Sequence, residues 1–355
     1  MPKLFTILAV NPGSTSTKIA VLKEGTVLGA ETFRHEAAAL AAFGPLWNQC
    51  EMRLGLCAAW SAARQEKFDA VATLGGLLKP VKGGVYRITE TVLRDARANI
   101  QGEHASNLGC AIADRLARQH GCPAFMVDPV SVDEFEPLAY YSGHPAIRRR
   151  SLSHALNIHA AARWGAAQLN RPLSGVSCIV AHMGGGISVA PVSGGRIVDV
   201  NDAASDGPFS PERTGGLPLQ QFISYIMENG LSEREMRRMV MGAGGLVAYL
   251  GTNSLAETET RIAGGDTAAA AVLEAMAYQI AKEIGAMATV VKGSVDAIIL
   301  TGGGAYAKRL ISLITERVRF LAPVFVHAGD DEMKALAEGV SRVLCGQETE
   351  EEYPG

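Results

Sequence analysis

The chain has 355 residues, 48% of them hydrophobic, which at the usual roughly 100 to 200 residues per domain gives two domains, each with its own core. With 33 basic and 36 acidic residues the net charge is -3, so nothing in the balance selects a nucleic acid or an anionic membrane, and a small soluble ligand is favoured. Six cysteines (Cys50, Cys57, Cys110, Cys122, Cys178, Cys345) are scattered without a C-x-x-C pair, which argues against a zinc ribbon or disulfide framework and for a reducing compartment.

The first apolar run, "LFTILAV", is strand-sized, far short of a membrane span and without a signal peptide's basic region, so a cytoplasmic protein is expected. "TKIAVLKEG" and "TVLGAETF" follow after short turns, a hairpin pattern rather than a βαβ one. Ala-rich stretches at 36–66 and 103–120 have helical spacing, and "FDAVATL" and "AFMVDPV" read as buried strands. The strand–turn–strand design recurs at 177–198, with Asn11 opposite His182 and Gly13 opposite Gly184, which predicts two domains of like fold facing each other across a cleft. Residues 266–291 form a helix capped by Asp266 and stopped before Gly293. Residues 295–318 are a strand, three glycines and a helix, "APVFVHAG" is a strand, and "DDEMKALAEGVSRVLCG" is a helix opened by acids. The tail "QETEEEYPG" reads as frayed and solvated.

Three turns carry the chemistry. In "AVNPGSTSTK" the backbone amides and the hydroxyls of Ser14, Thr15, Ser16 and Thr17 crowd donors beside Gly13, which suits phosphate oxygens, with Lys18 adding charge. The same hydroxyls can instead satisfy their own backbone, and the turn is not a Walker A loop. In "HMGGGIS", Gly184, Gly185 and Gly186 between two apolar strands let a ligand approach the main chain, a bulge or tight turn being the alternative. His182 beside them is ambiguous alone. "LTGGGAYA" fits G-x-G-x-x-A through Gly302, Gly304 and Ala307, but lacks the distant acidic residue of a dinucleotide site; an adenosine resting on Gly302, Gly303 and Gly304 fits equally well.

In order along the chain, "AVNPGSTSTK", "LLKPVKGGVY", "VDPVSVDEFEP", "SHALN", "AHMGGGISV", "DGPFSPERTGGLP", "LTGGGA" and "DEMKALAEG" resemble the acetokinase family of the actin-like ATPase superfamily, and within it the butyrate kinase branch. The resemblance covers nearly the whole chain. It implies an α/β fold of two actin-like (ribonuclease H-like) domains with mixed sheets flanked by helices and a cleft between them: residues 1–145 with a returning 330–355, and residues 146–329. It implies transfer of the ATP γ-phosphoryl to a short-chain carboxylate, with Mg2+, in a homodimer or a multiple of one, acting on a small-molecule acid and no nucleic acid or membrane. An acetate or propionate kinase on this scaffold, or more remotely a non-kinase nucleotide-binding sensor or assembly ATPase, are the alternatives.

The resemblance places Arg213 on the transferring phosphoryl and His154 and His182 near its equatorial oxygens. The nucleotide falls to Asn11, Gly13, Ser14, Thr15, Ser16, Lys18, His182 and the two glycine runs. Mg2+ falls to Asn11 and Glu332, with Asp128 close by, and Asp331 reads as a helix cap. Butyrate kinase-like sequences carry an arginine where this chain has Leu74, so the acid's cation falls to Lys79, Lys82 or Arg213, or to backbone amides. Ile158 stands where acetate kinases have a further histidine.

Overall fold

The hairpin pattern holds. In the computed structural model, which describes residues 4–329 and 331–355, β1 (Thr6–Pro12) pairs antiparallel with β2 (Ser16–Lys23), and β3 (Thr26–Arg34) continues the meander. The Ala-rich stretch at 36–66 folds as two helices. Helix α1 (Ala37–Ala41) stops before Gly44, at φ +67°, and Pro45, and α2 (Cys50–Ala62) starts after a short 3-10 turn. A left-handed glycine followed by a residue without an N–H ends a helix whatever the propensity around it.

Strand β4 (Ala70–Thr73) lies parallel to β1, followed by β5 (Val85–Arg87), α3 (Glu90–Arg97), α4 (Asn107–His120) and β6 (Ala124–Val127). The sheet runs β3-β2-β1-β4-β6-β5, with β1 and β4 buried throughout because α4 and the last helix of the chain both pack on them.

The second sheet repeats the first. After α5 (Ala155–Gln168), the strands β7 (Ser177–Met183), β8 (Ile187–Ser193) and β9 (Arg196–Ile197) form an antiparallel meander. Five helices follow: α6 (Leu219–Asn229), α7 (Glu233–Val240), α8 (Gly245–Leu250), α9 (Leu255–Ala263) and α10 (Thr267–Val290), the last capped by Asp266 as expected. Strand β10 (Ala297–Gly302), α11 (Lys308–Val318) and β11 (Val324–Ala328) complete the order β11-β10-β7-β8-β9. Thus β10 and β11 take the parallel places of β4 and β6, and one topology appears twice. Its core is the i, i+3, i+4 stripe Leu273, Met276, Ala277, Ile280 and Ile284 of α10 packed under β7 and β8.

Helix α12 (Glu332–Leu344) packs on β1, β4 and β6. Residues up to Asp133 together with Asp331–Gly355 form one compact unit, and those from Glu134 to the end of β11 belong to the other. By packing, the chain passes between units at 133/134. The Glu134 carboxylate accepts the Ile197 N–H at 2.8 Å and Glu136 N–H donates to Val198 O at 2.9 Å, tying this stretch to β9. The tail stays largely exposed but is not frayed: Glu351 N–H donates to Val85 O at 2.9 Å, and Tyr353 is 8% exposed. No described helix is long and apolar enough to cross a membrane.

Candidate active site

In the first unit, Gly13 N–H donates to Ser16 O at 2.8 Å, closing the β1–β2 turn and leaving Ser14 and Thr15 exposed and Gly13 and Ser16 partly so. Thr17 corrects the expected set of four hydroxyls. Pleating turns it inward, opposite Pro12, where its Oγ1 meets Arg53 Nη1 at 3.0 Å and the His35 ring at 2.9 Å. Arg53, on α2, was not singled out from the sequence, yet it is the scaffold of the turn. Fully buried, its Nη1 donates to Gly13 O and Ser16 O, both at 2.9 Å, while Gln49 takes its other edge. With the turn's carbonyls drawn inward to a guanidinium, its outer rim keeps donors.

Asn11 is buried at the end of β1 and its Nδ2 donates to Glu332 Oε2 at 3.0 Å; Lys18 Nζ meets the same oxygen at 3.3 Å. Glu332 opens α12, and Asp331 is indeed its cap, accepting the Lys334 N–H at 2.9 Å. Asp128 follows β6, two strands from β1 at the same sheet end. Its φ of +41° is strained for a non-glycine residue, and its Oδ1 accepts the Gly84 N–H at 2.7 Å. These donors are hard oxygens, the type Mg2+ takes, and that ion needs only one or two from protein because it keeps its waters. Among the described residues no three His, Cys, Asp or Glu side chains converge as a fuller cage.

Lys79 and Lys82 differ. Lys79 Nζ is held by Asp95 Oδ2 at 3.2 Å, Pro354 O at 3.3 Å and Gly355 O at 2.8 Å, whereas Lys82 is exposed. Leu74 is partly buried in the same segment.

In the second unit, β7 and β8 bring His182 opposite Ser188, and Gly184 N–H closes the turn onto Gly186 O at 2.9 Å. His154, the cap position of α5, contacts Ser188 Oγ through Nδ1 at 2.9 Å, and its ring lies 4.5 Å from that of His182, tilted by 37°. Burial lowers both imidazoles, His182 to about 4 and His154 well below its usual 6.5, the latter also through His182 and Arg213. Both are therefore neutral at pH 7, each with one N–H to donate.

Arg213 lies in the Ser210–Gly215 turn and donates from Nη1 to Ala203 O at 3.0 Å. A Cβ on Gly186 would fall 2.4 Å from Nη1 and 2.6 Å from Cζ, so the missing side chain is what lets the guanidinium lie against the β7–β8 turn. Gly303 instead looks onto open space, with nothing within 4 Å, and a Cβ on Gly184 would make only ordinary contact, with His182 Nε2 at 3.6 Å. Gly302, at φ +84°, and Gly304 are needed by the chain itself: a Cβ on either would strike Met183, at 2.5 Å and 2.8 Å. A cavity of about 430 Å³ opens between Gly184, Gly185, Glu212, Asn253, Gly303 and Tyr306, with Asn253 Nδ2 donating to Glu212 Oε1 at 2.6 Å.

The duplicated sheets define an actin-like α/β protein. The fold is similar to the crystal structure of Porphyromonas gingivalis acetate kinase, with a TM-score of 0.79 over 96% of this chain and 100% of that one at 19% identity. The sequence pattern of the acetokinase family matches residues 137–346. Relatives include a probable butyrate kinase 2 of Caldanaerobacter subterraneus, 46% identical over 99% of this chain and 100% of that protein. A probable butyrate kinase of Listeria innocua is 45% identical over 98% and 99%. This chain belongs to the acetokinase family.

Proposed function

We propose that the chain is an ATP-dependent short-chain fatty acid kinase that moves the γ-phosphoryl of ATP to the carboxylate of butyrate or a branched short-chain acid, reversibly giving an acyl phosphate and ADP. The observation that carries this reading is the guanidinium of Arg213 seated on Gly186, in the same unit as the two neutral, mutually packed histidines. The full-length similarity to relatives named butyrate kinases supports the choice of acid.

The nucleophile is a carboxylate, ionised at pH 7, so the reaction needs no general base; its barrier is the approach of two anions. Arg213 supplies a planar fork of donors for the oxygens that gain charge, and His154 and His182 add hydrogen bonds as neutral groups. Gly184, Gly185 and Gly303 give backbone access to the nucleotide, Gly186 meets it through the Arg213 it seats, Gly302 and Gly304 shape that wall, and Gly13, Ser14, Thr15, Ser16 and Lys18 hold phosphate oxygens. Asn11 and Glu332 would hold Mg2+, with Asp128 close by, and the ion when bound would offset phosphate charge. Of the two lysines considered for the acid, Lys82 is the one whose ammonium is exposed.

Helix α6 buries none of its residues and leaves Leu219, Ile223, Tyr225 and Met227 exposed beside an apolar cavity of about 700 Å³, which suits a second copy of the chain; a cytoplasmic dimer is the proposed state. Initial rates of hydroxamate formation from ATP, Mg2+ and hydroxylamine with acetate, propionate, butyrate and isobutyrate test the reading. Butyrate or isobutyrate should lead; a clear acetate preference would shift the assignment to an acetate kinase, and bound nucleotide with no hydroxamate would leave a sensor ATPase.

A further inference from the structure

The last residues of the chain converge on the segment that carries Lys82. Tyr353 is buried; its hydroxyl accepts the Lys79 N–H and donates to Asp95 Oδ2, both at 3.2 Å. Lys79 Nζ, an ammonium with three protons, has three partners in Asp95 and the carbonyls of Pro354 and Gly355. Further along, Glu350 forms a two-pronged pair with Arg87, both contacts 2.9 Å, and Glu351 bridges beside Tyr86 at the edge strand β5. The Glu351 side chain occupies the space where Gly84, at φ +149°, lacks one: a Cβ there would lie 2.8 Å from Glu351 Cγ. The N–H of that same Gly84 holds Asp128.

We propose that residues 350–355 form a strap, with Tyr353 as its key positioning residue, that fixes segment 79–84, the exposed Lys82 included, and so sets the affinity for the carboxylic acid substrate. This rests on the kinase reading above. Lys79 is then the strap's anchor rather than the acid's cation. Two features set this apart from a tail docked for stability. Tyr353 alone supplies buried apolar surface, in a stretch otherwise rich in glutamate, and the tail reaches both ends of the acid segment, through hydrogen bonds at Lys79 and through the packing of Glu351 Cγ against Gly84.

Tyr353→Phe removes both hydroxyl contacts and keeps the ring. Amide exchange of peptides spanning 78–88 should quicken about tenfold, the scale expected for losing one or two hydrogen bonds, while peptides spanning 177–193 exchange as in the wild type. In the hydroxamate assay the KM for butyrate should rise about tenfold, with the KM for ATP within about twofold of the wild type. Should Tyr353→Phe not fold, Glu350→Ala, which removes only the pair to Arg87, should give the same split at about threefold. Unchanged exchange over 78–88 refutes the strap. Faster exchange with an unchanged butyrate KM, or a parallel rise of both KM values with a fall in Tm, refutes its role toward the acid. A wild type that makes no hydroxamate overturns the kinase reading, and the acid role with it, while the exchange data still decide whether the strap holds the segment.

Discussion

Replacing Gly186 by alanine puts one methyl group into the space of the Arg213 guanidinium. The backbone there is not in the left-handed region, so the perturbation is steric alone. The added carbon would sit 2.4 Å from Nη1, and ordinary contact begins at 3.4 Å, so the fork must move by about 1 Å and lose its 3.0 Å bond to Ala203 O. A displacement of about 1 Å at a group that stabilises a transition state costs on the order of 10²-fold in rate, or about 2.7 kcal/mol. The expected result is a hundredfold lower kcat for Gly186→Ala, measured by hydroxamate formation at saturating substrates, with Tm within a few degrees of the wild type. Gly184→Ala is the comparison, because its nearest neighbour is 3.6 Å away. It should act on the KM for ATP and spare kcat. Equal kcat for the two variants, or a Gly186→Ala enzyme above half the wild-type rate, would refute the placement of Arg213 against the turn.

Arg53→Met leaves Gly13 O and Ser16 O without their buried donor, and should cost about 2–4 kcal/mol of stability in the first unit, seen as a Tm lowered by several degrees, and raise the KM for ATP. Because burial lowers His182 to about 4, protonation begins only below pH 5, so kcat should stay flat from pH 8 to about 5; an inflection near 6.5 would mean that the imidazole is not buried as described. Burial, opposed by Arg149, pushes the Asp206 carboxyl up to about 6 from its ordinary 3.8. The folded state thus holds this proton more tightly than the unfolded one. The resulting stabilisation is complete below about pH 4 and lost as pH rises through 6. Asp206→Asn should therefore raise Tm at pH 7, by about 2 kcal/mol of stability after allowing for solvent screening, and leave it unchanged at pH 4.

Much of this was legible locally. The alternation in β1 and β2, the capped periodicity of α10 and the echo of Asn11–Gly13 in His182–Gly184 are short-range patterns, and the two sheets reproduce them. All but one of the differences share one cause, which is partners distant in sequence. Thr17 and Ser16 look alike in a run of hydroxyls, and only the pairing of Thr17 with Pro12 over Arg53 separates the buried one from the rim. Arg53 carries no motif, since what it binds are backbone carbonyls 37 and 40 residues away. Lys79 reads as a free cation until Asp95 and the tail claim it, and the tail reads as solvated because its single aromatic gives no periodicity. The Gly44-Pro45 break in the Ala-rich stretch is instead a local signal, carried by two adjacent residues between the helices.

The measurement that bears most directly on the account is single-turnover phosphoryl transfer by Arg213→Ala, with ATP affinity measured on the same preparation. The account predicts a transfer rate lowered by about 10³-fold or more with the Kd for ATP changed less than about threefold. A variant that loses rate and nucleotide affinity in equal measure, or that transfers phosphoryl at the wild-type rate, would contradict it.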